Sequence, residues 1–173
     1  SETETAMPDN FLSNVVTKWE ESVNKFQALN IKVCKLRTGI VFSQNGGALQ
    51  EMIQPIRLGF GANFGNGKQI TSWIHIQDLT EMYLFALLNH WEGTFNAVAP
   101  NPISNKELTN AIAHKLNRPL WLPNIPKFVM KWILGDMHEL LFDNKKISSR
   151  KAIDHRFQFQ FPTIEKALSN LLT

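Results

Sequence analysis

Residues 31–42 read Ile-Lys-Val-Cys-Lys-Leu-Arg-Thr-Gly-Ile-Val-Phe. Apolar and basic residues alternate as far as Arg37, and the run then turns mostly apolar through Thr38-Gly39-Ile40-Val41-Phe42. Alternation sets successive side chains on opposite faces of a strand, and a nearly continuous apolar run suits a strand buried on both faces. The stretch therefore predicts a strand that runs into the middle of a sheet. Upstream, Asp9 and Asn10 can cap a helix reaching about Leu29, whose apolar side carries Phe11, Leu12, Val15, Val16, Trp19, Val23 and Phe26. Downstream, Asn45-Gly46-Gly47 breaks the strand, and a helix follows from Ala48 to Leu58, strained or ended near Pro55. A second strand reads from Thr94 to Ala99 and stops at Pro100 and Pro102. Strands separated by helices predict an α/β fold with parallel pairing. Two good strands before residue 100 make a poor sheet by themselves, so the chain reads as the second half of a larger unit.

Between those strands, Gly59, Gly61, Gly65 and Gly67 mark a long loop. Ser72 to Ile76 is a short extended piece leading to Asp78, which is placed to cap an apolar helix ending near Asn89. Ser104 and Glu107 form an S-x-x-E capping box for a helix to about Asn117. Pro119, Pro123 and Pro126 then punctuate a connector, and the chain is divided at 118/119 into a sheet-forming part and a small, mainly helical annex. Within the annex, helices are read from Pro126 to Leu134, around His138 to Phe142 and near Ile147 to Ile153. Arg156 to Phe161 alternates strictly and predicts a strand with one aromatic face, before a final helix opened by Pro162.

Composition bounds the function. The 173 residues carry 18 Lys+Arg against 15 Asp+Glu, a net charge of +3, and 43% are hydrophobic. Disorder as the main state is excluded by that apolar content and low net charge. The single Cys34 cannot pair within the chain, which removes a disulfide scaffold. No apolar run approaches the roughly 18 residues of a membrane span, and the acidic, polar opening Ser1-Glu2-Thr3-Glu4-Thr5 is unlike a signal peptide. Basic residues are scattered, which argues against a nucleic-acid partner. A reduced, soluble, cytoplasmic protein is expected.

The chemistry-bearing residues are few. Cys34 lies in a predicted strand with no nearby histidine, which favours a structural thiol over a nucleophile. The histidines share no metal-ligand spacing, so no metal site is expected. Gly61 to Gly67 is glycine-rich but does not join a strand to a helix, so it fails the context of a dinucleotide turn. Arg37-Thr38-Gly39 lies at a strand end, where open α/β sheets place ligands; Arg37 is suited to a phosphate or carboxylate, or else to an ion pair there. Lys68, Gln69, Ser72, Trp73 and His75 gather donors, an aromatic plate and a titratable imidazole on one loop. That set suits a polar organic ligand; the alternative is a structured connector in which His75 caps a neighbouring element. Trp121, Phe128 and Trp132 read either as core of the annex or as a wall over a pocket.

Taken in order, these segments resemble the extended branch of the short-chain dehydrogenase/reductase superfamily, within its atypical subgroup of NAD-dependent epimerase/dehydratase-like proteins, often called nucleoside-diphosphate-sugar epimerases. The resemblance rests on Phe11-Leu12 to Trp19-Glu20, on Leu36-Arg37-Thr38-Gly39-Ile40-Val41 with Gly46-Gly47-Ala48-Leu49, and on Gly65-Asn66-Gly67-Lys68-Gln69. It continues through Ser72-Trp73-Ile74-His75-Ile76-Gln77-Asp78-Leu79, Phe95 to Asn105 and the tail Phe157 to Leu172. It implies a Rossmann-like sheet of which this chain is the C-terminal portion. The G-x-x-G-x-x-G turn of the family is not in this chain, and neither are the first strands. The resemblance further implies NAD(P) bound by the full-length protein, with no tight binding expected of this portion alone. Arg37, Thr38 and Gly39 would approach the nicotinamide side, and Lys68, Gln69, Ser72 and Trp73 would help form a substrate pocket for a sugar nucleotide or similar metabolite. The family's Tyr-x-x-x-Lys pair falls on Leu12 and Val16, aligned from Glu20. Neither can transfer a proton or hold a ribose, which leaves His75 as the conceivable acid/base. The expected partners are a small-molecule substrate and the missing N-terminal half of the same chain. A homodimer completing the sheet and a non-catalytic cofactor-sensing or interaction module are the competing readings.

Overall fold

The computed structural model describes residues 11–126 and 146–172. The helices expected over 126–134 and 138–142 fall almost wholly outside that range. Helix α1 (Phe11–Asn24) continues as a 3₁₀ turn (Lys25–Leu29) that Asn30 ends in the left-handed conformation. Strand β1 (Cys34–Thr38) follows, then β2 (Ile40–Phe42) and helix α2 (Ala48–Arg57). Short strands β3 (Ile70–Thr71) and β4 (Trp73–His75) lead into α3 (Ile76–Leu88), β5 (Gly93–Ala97), β6 (Ile103–Ser104) and α4 (Asn105–Lys115). After residue 146, α5 (Arg150–Asp154) and α6 (Ile164–Leu171) complete the described elements.

The fold is α/β with parallel pairing, as the sequence predicts. β1 pairs with β5 in parallel, Cys34 opposite Gly93 through Thr38 opposite Ala97, and β2 pairs in parallel with β4. The single strand expected over 31–42 is nevertheless two. Gly39 N–H still donates to Ala97 O at 3.1 Å, but the next amide, Ile40 N–H, donates to Ser72 O at 2.9 Å. Beyond that point Ala99 N–H donates to Trp73 O at 2.6 Å, so β4 enters as a wedge between β2 and the end of the β5 segment. The sheet forks at Gly39. A Cβ there would lie 2.5 Å from Ser72 O and 2.8 Å from Val98 Cγ1, so glycine is what lets the two branches part.

Two hydrophobic clusters lie along the forked sheet. One joins Phe42, Leu49, Ile53 and Trp73 to Leu108 and Ile112 of α4 and to Ile164, Ala167, Leu168 and Leu171 of α6. The other joins Ile74, Met82, Ala86, Trp91, Phe95 and Ala97 to Ala152 and Phe157. Residues 146–172 thus contribute to both clusters of the sheet. The annex helix expected over 147–153 is confined to Arg150–Asp154.

Arg156–Phe161 is not a strand. Arg156 takes φ +66°, and the amides of Gln160 and Phe161 bond to the Asp78 carboxylate instead of a sheet neighbour. The aromatic alternation is satisfied by packing: Phe157 meets Phe85, Trp91 and Phe159 edge-on, while Phe161 stacks on His75. Helix α1 departs in a different way. Val15 and Val16 are half-buried, but Trp19 is 68% exposed and Phe26 and Leu29 also face solvent.

The predicted capping box is present. Ser104 Oγ accepts from Glu107 N–H at 3.3 Å, and the Glu107 carboxylate accepts from Ser104 N–H at 3.0 Å. Ser104→Ala should therefore cost about 1 kcal/mol in urea unfolding, because the first turn of α4 loses its side-chain acceptor.

Candidate functional site

The residues singled out from the sequence gather around β4, the wedge of the forked sheet, and most of them hold the chain to itself. Arg37, on β1, donates through Nε and Nη2 to the two oxygens of Glu20 at 2.7 and 3.0 Å. Lys35 reaches the same carboxylate at 3.4 Å. The Arg37 hydrogen bond, followed by the guanidinium charge, holds the Glu20 carboxyl below the usual carboxylate range against the opposing effect of burial. Of the two readings of Arg37, the structure shows the ion pair, which fastens α1 to the sheet. Thr38 presents its side chain at the exposed end of β1. Gly39 is tucked beneath the Ser72 carbonyl, where its missing Cβ serves the fork.

The loop residues divide in the same way. Trp73 is fully buried, stacks on Phe42 at 5.5 Å and donates Nε1–H to Asn101 O at 3.0 Å. It is a core residue and not an open aromatic plate, because both ring faces and the indole donor are already engaged by the protein. Ser72 Oγ accepts from Ile147 N–H at 3.1 Å, pinning the segment at residue 147 beside the start of β4. Gln69 is buried; its Nε2 donates to Phe64 O at 3.1 Å, and its Oε1 meets no hydrogen-bond donor among the described residues. Lys68 is exposed. The glycine-rich loop is itself fixed from both sides. Gly65 N–H donates to Ile125 O, Ile125 N–H to Asn63 O, and Phe64 N–H to Asn105 Oδ1, each at 2.8 Å.

His75 and Asp78 form the centre of the arrangement. His75 is 1% exposed. Its Nδ1 accepts from Gln77 N–H at 3.1 Å, which caps α3, and its Nε2 lies 3.1 Å from Asn170 Oδ1. With Nδ1 accepting, the ring proton belongs on Nε2 and is donated to Asn170. Phe161 covers the ring at 3.8 Å. In this chain the imidazole has neither an open face nor a spare nitrogen, and it caps the neighbouring element as the alternative reading held. Asp78 was expected to cap α3, but His75 holds that position. The fully buried Asp78 carboxylate accepts instead from Gln160 N–H at 2.7 Å and Phe161 N–H at 3.0 Å. Asn170 and Asn101, which the motifs did not single out, complete the set; Asn101 Nδ2 donates to Pro162 O at 2.9 Å. No spacing signal links positions so far apart in sequence.

Burial pushes the His75 pKa below its ordinary value of 6.5, only partly countered by the Asn170 hydrogen bond and the Asp78 charge. The unfolded chain takes up this proton as pH falls through 6.5, while the folded ring resists it. The contribution of the neutral ring to stability is therefore complete above 6.5 and lost as pH falls through the lower folded value. The thermal midpoint should decline below that pH, and a His75→Gln variant should show a flatter decline when melted across the same buffers. Burial likewise raises the Cys34 thiol, ahead of the lowering effect of Lys151, in keeping with a structural cysteine. Among the described residues no three His, Cys, Asp or Glu side chains come together as a metal-binding group.

The chain has similar known proteins. Mouse (Mus musculus) epimerase family protein SDR39U1 is 34% identical over 164 residues, 94% of this chain and 55% of that protein. An epimerase family protein of Staphylococcus epidermidis is 36% identical over 171 residues, 96% of this chain and 56% of that protein. The crystal structure of human SDR39U1 isoform 2 with NADPH superposes with a TM-score of 0.83 at 32% identity, covering 99% of this chain and 60% of that one. The chain is similar, over nearly its whole length, to the C-terminal part of these epimerase family proteins. Residues 125–171 match the family described as a domain of unknown function, DUF1731. A nucleoside-diphosphate sugar epimerase from Corynebacterium glutamicum also superposes, with a TM-score of 0.76 at 26% identity, over 99% of this chain and 32% of that one. The chain spans about half the length of the curated epimerase relatives it matches and corresponds to the C-terminal part of the Rossmann-like fold.

Among the described residues no helix is long and apolar enough to cross a membrane.

Proposed function

We propose that this chain is the substrate-side portion of an NAD(P)-dependent epimerase- or reductase-like protein acting on a sugar nucleotide or a related polar metabolite. The observation that carries this reading is the likeness over 99% of the chain to an epimerase family protein whose structure was solved with NADPH. Among the described residues, most of those singled out for a dinucleotide are engaged by the chain itself. Arg37 is paired with Glu20, Gly39 is occupied by the fork, and the Gly61–Gly67 loop joins no strand to a helix N-terminus. In this reading the phosphate-binding turn belongs to the N-terminal half, and Thr38 is the residue that meets the nicotinamide side. Lys68 is offered to substrate, while Gln69, Ser72, Trp73 and His75 act by positioning.

The test is titration of residues 1–173, and of a polypeptide extended by the N-terminal half, with NADPH and NADH by fluorescence. The extended protein should bind and the shorter chain should not; tight binding or turnover by residues 1–173 alone would overturn the assignment. The absence of a proton-transferring pair at Leu12 and Val16 favours a second reading, a non-catalytic cofactor-sensing or interaction module on the same fold. Cofactor binding without turnover of any nucleotide sugar by the extended protein, with altered partner binding on addition of cofactor, would select it.

A further inference from the structure

Helix α3 is capped by an acceptor that a single proton turns into a donor. The unpaired amides of a first turn need a lone pair, which Ser, Thr, Asn and Asp supply at neutral and mildly acidic pH alike. Here His75 supplies it, Nδ1 accepting from Gln77 N–H at 3.1 Å. An imidazolium has no such lone pair and donates from both nitrogens. Protonated in place, the ring would set an N–H against the Gln77 N–H and a positive charge at the positive end of the helix dipole.

The ring cannot turn aside without moving its neighbours. His75 is 1% exposed, its ring centroid lies 3.8 Å from that of Phe161, and Nε2 is 3.1 Å from Asn170 Oδ1. Among the described residues, the charged groups on the elements around it are Asp78 and Glu81 of α3, Arg156 ahead of Phe161, and Glu165 and Lys166 of α6; β2 brings none. Asp78 alone of these is buried, and its carboxylate is already committed to Gln160 N–H and Phe161 N–H. An imidazolium that swings from the helix displaces Phe161 and Asn170. One that draws Asp78 toward it takes the carboxylate from residues 160 and 161. Both routes end on the same C-terminal segment, and the ladder of β1 with β5 includes none of these groups.

We propose that His75 is an acid-operated latch: a proton taken up at Nδ1 holds open a local state in which residues 157–171 lift from β4 and α3 while β1 and β5 stay paired. Opening exposes the ring, which then takes its proton near the ordinary 6.5, whereas burial lowers that value in the closed form. Each pH unit below 6.5 therefore favours the open state by up to about tenfold, until the lower closed value is reached. The surface uncovered is apolar, since Phe157, Leu168 and Leu171 close the two hydrophobic clusters.

Hydrogen exchange of residues 1–173 at about pH 7.5 and about pH 5.5, each rate divided by the intrinsic rate at that pH, reads the opening. Protection of the Gln160 and Phe161 amides should fall by about tenfold between the two. At the lower pH both should also be at least about tenfold less protected than the Arg37 and Phe95 amides. The alternation from Gly93 N–H on Val33 O to Gly39 N–H on Ala97 O places those two inside the β1–β5 ladder. His75→Gln should lose the pH dependence. Asn170→Asp, at an exposed position that spares folding, offers the imidazolium a carboxylate in the closed form and should shrink the fall. Unchanged protection at Gln160 and Phe161 across the two pH values would overturn the latch. So would equal protection of segment and ladder, which would then open as one. A fall that persists undiminished in both variants would assign the proton to another group and overturn it as well.

Discussion

Gly39→Ala is expected to remove about 3 kcal/mol of stability, well beyond an ordinary glycine substitution. The added methyl would fall 2.5 Å from a backbone oxygen, Ser72 O, and 2.8 Å from Val98 Cγ1. A flexible side chain could yield, but the Ser72 carbonyl is held by Ile40 N–H, so relief requires the two branches of the sheet to separate. Since a domain of this size is stable by roughly 5–15 kcal/mol, that is a large fraction of the total. Urea unfolding followed by tryptophan fluorescence measures it. A Gly39→Ala protein within about 0.5 kcal/mol of wild type, the range of an uninvolved surface change, would show that the fork does not need glycine.

Asp78→Ala should be at least as damaging, at about 3–5 kcal/mol, because two buried amides lose a charged acceptor and each such bond contributes about 1.5–3 kcal/mol. Those amides belong to Gln160 and Phe161, and their release also uncovers the His75 ring. Asp78→Asn retains one acceptor oxygen and should lose less. The order wild type, Asn, Ala in chemical denaturation, with faster exchange at amides 160 and 161 in both variants, is the expected result. Equal stability of all three would mean that the segment is held by its aromatic packing alone.

The helices were legible because their signals are local. Ser104 and Glu107 lie within one turn of each other, and the apolar positions of α4 and α6 recur at helical spacing. The fork was hidden because residues 34–42 keep one strand-like pattern while changing partners at Gly39, and only the approach of Ser72 reveals the change. The same limit explains Arg156–Phe161. Alternating aromatics signal two faces, but they do not say whether the amides go to a strand or to a carboxylate 82 positions away. At the candidate site the sequence offered two uses for Arg37 and His75, ligand or internal contact, and local spacing could not choose between them. Trp73, Ser72 and His75 have the donors and rings that a ligand needs, and the fold engages Trp73 with Phe42 and Asn101 and the other two with the C-terminal segment. The uncovered side of α1 was legible as an apolar stripe, since a stripe is visible in sequence whether or not anything lies against it.

The sharing of one hydrophobic cluster between residues 42–113 and residues 164–171 has a consequence for synthesis. A ribosome delivers Leu49, Trp73 and Ile112 long before Leu168, and His75 must wait for Asn170, 95 positions later. Until then the nascent segment displays its half of the core with nothing to close it, which is when aggregation competes with folding and chaperones bind. Bonds that span so much chain also make a late, slow closing step. Dependence on chaperones during translation, more than fragility of the finished protein, is the vulnerability this architecture builds in.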